Sequence, residues 1–272
     1  MFRLTRENSS PLVFISIAFL ILSAESAFAL DTERLSPNDI HLVKMTLKLL
    51  KPFIDQKKST GAMNLLTFEQ LYAPLSARQK NILEEIRKQD PKQLGATAHT
   101  FGPSRQEGHF VKVPDQSIQK NGSPRRLPKQ YLPQEVYEAY RKMMEAMQKN
   151  LGTVLYVDSG YRSPAYQLYL FLYYLPKHGY SIREANRFVA LPGHSEHGAP
   201  EHQAIDFINE EGVNGEDNPE AFETLPEYRW LTQHAKTYGF FLSYPRDNRW
   251  GTSFEPWHWH YEAESVKRKT QN

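Results

Sequence analysis

The sequence predicts an α+β fold, a small mixed or antiparallel sheet flanked by helices and preceded by an N-terminal helical extension. Three observations carry that expectation. Apolar residues recur at helical spacing behind Ser36, Pro133, Pro164 and Pro226, the pattern of helices that bury one face. Short runs rich in β-branched and aromatic residues lie among them, at Thr153 to Val157, at Gln203 to Ile208 and around Phe240 and Trp257. The chain has 272 residues, 40% of them hydrophobic and 12% aromatic, enough to bury one substantial core.

Taken in order, residues 1–29 read as a secretory signal peptide. Arg3 and Arg6 precede an apolar run from Leu12 to Leu22, and small residues follow, ending at Ala27-Phe28-Ala29. The run is shorter than the roughly 20 residues that cross a bilayer. Cleavage after Ala29 and no stable membrane insertion afterwards are therefore expected. Residues 30–132 read as the helical extension and an irregular linker. Ser36-Pro37 has the form of an N-cap with proline at the first helical position, followed by Ile40, Leu42, Val43, Met45, Leu47, Leu49 and Leu50. Thr67 and Gln70 form a capping-box pattern, and a third helix is expected after Ser76. From about Asp90 to Pro133 Gly, Pro and polar or charged residues dominate, with one short strand expected at His109 to Val113.

Residues 133–272 read as a second unit. It begins with a helix from Pro133 to about Lys149, a strand at Thr153 to Val157 and an aromatic-rich helix from Pro164 to about Leu175. A helix at Ser181 to Ala190, the strand Gln203 to Ile208, a helix at Pro226 to Tyr238 and the two closing strands complete it.

Composition narrows the function. Lys and Arg total 33 against 31 acidic residues, so the net charge of +2 supplies no electrostatic reason to bind nucleic acid. Cysteine is absent, which excludes disulfides, thiolate ligands and thiol nucleophiles. An exported chain of this length without disulfides points to a bacterial periplasm.

The chemistry concentrates near the C-terminus, where six of the ten histidines lie between His194 and His260. Glu255-Pro256-Trp257-His258, with Ser195-Glu196-His197 and Asp206, supplies the parts of a catalytic zinc site. Such a site uses neutral His and carboxylate ligands, an open position for water and a carboxylate to take the water's proton. His258 and His260 would share one face of a strand, and Glu255 would reach that face if Pro256 bends the strand entry.

Four motifs agree in order with one known family. Ser159-Gly160-Tyr161-Arg162-Ser163, Pro192-Gly193-x-Ser195-x-His197, Ala204-x-Asp206 and Glu255-Pro256-Trp257-His258 resemble the VanY-like D-alanyl-D-alanine carboxypeptidases over roughly Pro133 to Glu262. The resemblance implies zinc held by His197, Asp206 and His258, with Glu255 as general base. It implies Arg162 against the scissile carbonyl or the substrate carboxylate, and Ser195 and Gln167 against the terminal carboxylate of the peptide. It also implies peptidoglycan stem peptides as partners and removal of terminal D-alanine as the reaction. L,D-carboxypeptidase, D,D-dipeptidase or endopeptidase activity, or a cell-wall binding module without turnover, stand as alternatives. A serine peptidase lacks a nucleophile-elbow or Ser-x-x-Lys pattern.

The chain departs from the family pattern between His197 and Asp206, where His197-Gly198-Ala199-Pro200-Glu201-His202-Gln203-Ala204-Ile205-Asp206 is two residues longer and lacks the glycine before the alanine. Extra loop length costs little closure entropy, but it leaves His202 as an alternative ligand to His197. Tyr161, Tyr166, Tyr169, Phe171, Tyr173 and Tyr174 read as core and cleft wall. Oligomeric state is left open.

Overall fold

Capping chemistry sets the helical half of the molecule. In the computed structural model, which describes residues 30–95, 109–120, 122–215, 218–248 and 253–262, helix α1 spans Pro37–Thr60, with the Ser36 side chain accepting from the Asp39 N–H and Gly61 ending it in the left-handed region at φ 73°. The expected capping box of Thr67 with Gln70 opens α2 (Phe68–Tyr72), and a second box, Ser76 with Gln79, opens the helix expected after Ser76, α3 (Ala77–Arg87). The expected signal peptide lies outside the described residues. No helix among the described residues is long and apolar enough to cross a membrane.

The stretch expected to be irregular holds more order than its composition suggests. Strands β1 (Phe110–Lys112) and β4 (Tyr131–Pro133) pair antiparallel, and so do β2 (Ser117–Lys120) and β3 (Ser123–Arg126). Only Ile118 in the second pair is buried, and β3 is exposed throughout. Backbone ladder bonds rather than an apolar face define this hairpin, so no period-two pattern announces it. Gly122 at its turn has φ 74°.

Helix α4 (Gln134–Leu151), β5 (Tyr156–Ser159), α5 (Pro164–Tyr174), a short α6 (Ile182–Asn186), β6 (Ala204–Ile208), α7 (Pro219–Glu223), α8 (Pro226–His234), β7 (Phe240–Leu242) and β8 (His258–Tyr261) follow. Helix α6 is shorter than expected, and α7 was not foreseen. The main sheet is antiparallel in the order β5-β6-β8-β7. Alternation divides its two faces. Ile205, Phe207, Trp259, Tyr261, Phe240 and Val157 enter a core with Val136, Met143 and Met147 of α4 and Leu231 of α8. Asp206 and His258, opposite one another in the β6/β8 register, are left for the other face.

A second core joins the two parts of the chain. Val43, Leu50 and Ile54 of α1 and Ile82, Leu83 and Ile86 of α3 cluster with Ala165, Leu168, Phe171 and Leu172 of α5. Helix α5 thus packs one side on the N-terminal helices and turns Gln167, Leu170 and Tyr174 to a cleft.

Candidate functional site

The site is assembled from three turns and the sheet. The Ser159-Gly160-Tyr161-Arg162-Ser163 segment links β5 to α5, and Ser163 caps α5 by accepting from the Tyr166 N–H. Gly160 is required by close approach, because a Cβ there would lie 2.6 Å from the Tyr131 carbonyl oxygen. Gln130 clamps this turn: its Oε1 accepts from the Gly160 N–H at 3.1 Å and from Asn64 Nδ2 at 2.9 Å. The Arg162 N–H donates to the His197 carbonyl at 2.9 Å, which ties the arginine turn to the next segment.

Ser195 caps a 3-10 turn, Glu196–Gly198, and presents His197, which is 1% exposed. A second 3-10 turn, Pro200–His202, takes up the extra loop length before β6. His202 lies on that turn, and the donor group that the fold assembles contains His197 instead. One ligand atom each from His197, Asp206 and His258 lie within 4.8 Å of one another. Glu255 stands on a turn closed by the His258 N–H donating to the Glu255 carbonyl at 3.1 Å. Its Oε2 lies 3.9 Å from His258 Nδ1, so the bend at Pro256 brings the carboxylate to the donor group.

The hydrogen bonds test whether this group fits a cation. His197 Nδ1 lies 2.8 Å from the Gly160 carbonyl, which can only accept, so Nδ1 carries the proton and Nε2 a lone pair. That Nε2 lies 3.1 Å from Asp206 Oδ2 without hydrogen-bond alignment, and it is buried with no hydrogen-bond partner. Two acceptors thus face each other, which a shared cation would relieve. His258 Nδ1 lies 2.7 Å from Asp206 Oδ1, and its Nε2 lies 2.7 Å from Glu196 Oε2. The His258 Nε2–H donates to Glu196, which leaves Nδ1 turned toward the donor group. Neutral nitrogen and carboxylate donors of this kind suit zinc.

Electrostatics agree. Burial lowers the His197 pKa and the Arg162 charge assists, which keeps its imidazole neutral. Burial would raise the Asp206 carboxyl, but the protonated His258 beside it outweighs burial and holds it well below the usual range. Burial likewise opposes charge on His258, yet Asp206 and Glu196 raise its pKa well above the ordinary value. In the metal-free chain a proton on His258 Nδ1 occupies the place a metal would take. Burial raises Glu255 to about 7, with His258 opposing and Asp206 and Glu196 assisting the rise.

All of these groups line one cleft of about 570 Å³, together with Arg162, Gln167, Ser195 and Tyr244. The Arg162 Nε is buried without a hydrogen-bond partner, and so is Gln167 Oε1. Gln167 Nε2 donates to the Ala190 carbonyl at 2.8 Å, which leaves a second amide hydrogen on the same nitrogen besides the unpartnered Oε1.

Sequence reasoning missed Glu196, Ser243 and Tyr244. Glu196 is 8% exposed and also accepts from Ser243 Oγ at 2.6 Å; that hydroxyl lies 2.8 Å from His260 Nδ1. His260 therefore supports the site from behind the donors. Tyr244 packs its ring 5.1 Å from that of His258. The available signal was the place of Glu196 between Ser195 and His197. Glu196→Gln is expected to weaken zinc binding about 10- to 100-fold, measured by competition with a chromophoric chelator, and unchanged affinity would remove Glu196 from this role.

Comparison with known proteins follows the geometry. YodJ of Bacillus subtilis (strain 168), named as a candidate carboxypeptidase, is 32% identical over 149 residues, 54% of this chain, and the match spans 52% of its own length. Among solved structures, the zinc complex of the vancomycin-resistance D,D-pentapeptidase VanY from a VanB-type cassette is 21% identical, covering 63% of this chain and 90% of its own at a TM-score of 0.43. The LD-carboxypeptidase LdcB is 27% identical, covering 68% and 84% at a TM-score of 0.46. The VanY family model, described as D-alanyl-D-alanine carboxypeptidase, matches residues 129–264, the span that holds Arg162, His197, Asp206, Glu255 and His258, and the chain belongs to that family.

Proposed function

We propose that this chain is an exported, zinc-dependent carboxypeptidase that removes the terminal D-alanine of peptidoglycan stem peptides in the periplasm. Residues 133–272 are its catalytic unit. Residues 30–132 form an N-terminal support that packs on α5. The observation that carries the reading is the acceptor pair His197 Nε2 and Asp206 Oδ2 at 3.1 Å, with Glu255 beside the same cluster in a cleft.

His197, Asp206 and His258 would hold the zinc, which when bound supplies Lewis acidity and brings the pKa of water towards about 7. Glu255 takes the proton of the attacking water and returns it to the leaving amine. Arg162, fixed through its backbone and with its Nε unpartnered, stabilises charge developing on the carbonyl oxygen or holds the substrate carboxylate. Ser195 and Gln167 line the cleft for the terminal carboxylate, Ser195 through its hydroxyl and Gln167 through the amide hydrogen that Ala190 does not take. Family membership and the likeness to YodJ support peptide hydrolysis at a carboxyl end.

The test is hydrolysis of a peptidoglycan pentapeptide by the zinc-loaded chain, with and without chelator, read by mass spectrometry. Release of one D-alanine, lost with chelator and restored by zinc, is expected. Cleavage of a tetrapeptide, release of a dipeptide or opening of a cross-link, with the pentapeptide left intact, would assign the site to another bond. No product from any of them would leave a binding module.

A further inference from the structure

The cleft does not end at the residues that line it for the terminal carboxylate. Gln167 stands on α5, and its hydrogen bond to the Ala190 carbonyl joins that helix to the 186–190 segment. Past this point Leu170 and Tyr174 continue the wall on α5, three and seven residues on, a spacing that keeps to one helix face. Val189 and Ala190 line the cleft from the other segment. Leu170, Tyr174 and Val189 are each half-buried, so apolar surface is left to the cleft.

From Gln167 to Tyr174 this wall runs about 10 Å, at about 1.5 Å per residue. A departing D-alanine uses little of it. Its amine lies at the scissile bond and its carboxylate at Ser195 and Gln167, so the side chain alone can reach further, and a methyl reaches about 1.5 Å. A straight chain of four carbons reaches about 5 Å, far enough to lie along Leu170 and Val189. The walls also limit its chemistry. Among the described residues, none that lines this stretch is acidic. Lys177 and Arg187, which line it as well, are engaged elsewhere: Lys177 sits over the Tyr174 ring at 4.5 Å, and Arg187 pairs with Glu184 at 3.2 Å. A charged side chain would be desolvated here without a partner, a cost that an apolar one avoids.

We propose that the space between Leu170 and Val189 is a subsite for the side chain of the released residue, and that the chain removes terminal D-amino acids with unbranched apolar side chains faster than it removes D-alanine. The inference rests on the carboxypeptidase reading and on its placing of the terminal carboxylate. The bond cleaved is the same: the oxygen of water joins the carbonyl carbon, the C–N bond breaks, and the amine of the released D-amino acid takes the proton.

The test uses two pentapeptides that differ in the last residue, D-alanine or D-norleucine, given to the zinc-loaded full chain and followed by mass spectrometry. D-Norleucine is expected to be released with a kcat/KM about tenfold above that of D-alanine, the effect of burying roughly half of its three added methylene groups. Leu170→Trp fills the space from α5 and Val189→Trp from the opposite wall. Each is expected to abolish the preference while D-alanine release stays within about twofold of the parent, with Tm verifying the fold. D-Norleucine released no faster than D-alanine, or a preference that survives in both variants, overturns the subsite. If neither peptide loses its last residue, both are titrated into the same chain by calorimetry. Tighter binding of the D-norleucine peptide, lost in both variants, then upholds the subsite and refutes the proposed hydrolysis alone, whereas equal binding overturns the subsite as well.

Discussion

Glu255→Gln is expected to lower kcat by about 10²- to 10⁴-fold, the usual contribution of a positioned general base, while zinc remains bound. Glu255 stands outside the close donor group, 3.9 Å from His258 Nδ1, on a turn whose backbone is fixed by hydrogen bonds of its own. Glutamine keeps the shape and removes the proton acceptor. The pH profile supplies a second measure. Burial raises Glu255 to about 7 in the metal-free chain, and a base works only when deprotonated, so activity rises with pH through its pKa. A bound cation stabilises the carboxylate, which moves that acid limb below about 7 in the loaded enzyme. Steady-state kinetics across pH, with metal analysis of the same samples, would show both effects. Parental turnover by a zinc-loaded Glu255→Gln protein would place the base elsewhere.

Asp206→Ala is expected to be more severe, with zinc falling from one per chain to substoichiometric after dialysis and hydrolysis lost with it. Asp206 is the hub of the donor group, facing His197 with one oxygen and His258 with the other. The variant takes away the carboxylate that His258 Nδ1 and His197 Nε2 both face, leaving Glu196 on the far nitrogen of His258 and Glu255 at 3.9 Å. The same substitution changes acid stability in the metal-free state. His258 holds the Asp206 pKa well below the usual range despite burial, so its stabilisation is complete above the ordinary carboxylate pKa of about 4 and lost as pH falls below it. Metal-free Asp206→Ala should therefore have a lower Tm at pH 6 and a shallower loss of Tm below pH about 4. One tightly held zinc in this variant would sink the proposed ligand set.

The elements and donors that were legible in the sequence are those that local chemistry announces. Ser36, Thr67 and Ser76 cap helices through side chains three residues from their partners. The alternation in β6 and β8 separates core residues such as Ile205 and Trp259 from Asp206 and His258, and His197 sits in a short motif. What stayed hidden depends on contacts between distant segments. Glu196 reaches His258 across 62 positions, and no spacing rule covers that. The β2/β3 hairpin has a single buried side chain, so it lacks the signal that strands normally give. The longer loop before Asp206 left His202 and His197 as rivals, and a 3-10 turn that absorbs the extra residues distinguished them only in three dimensions.

The clamp at Gln130 also ties the segment that carries Arg162 to the helical extension. Its Oε1 is shared by Asn64, from the helical extension, and by the backbone of Gly160, two positions before the arginine. The Asn64 carbonyl also accepts from the Ser163 N–H at 2.9 Å, immediately after that arginine. Asn64 lies outside the span matched by the family model, 129–264. The arginine turn is thus held in part from outside that span. The extension is thereby part of what sets Arg162: without it, Gln130 and the Ser163 N–H would each lose the partner that Asn64 supplies.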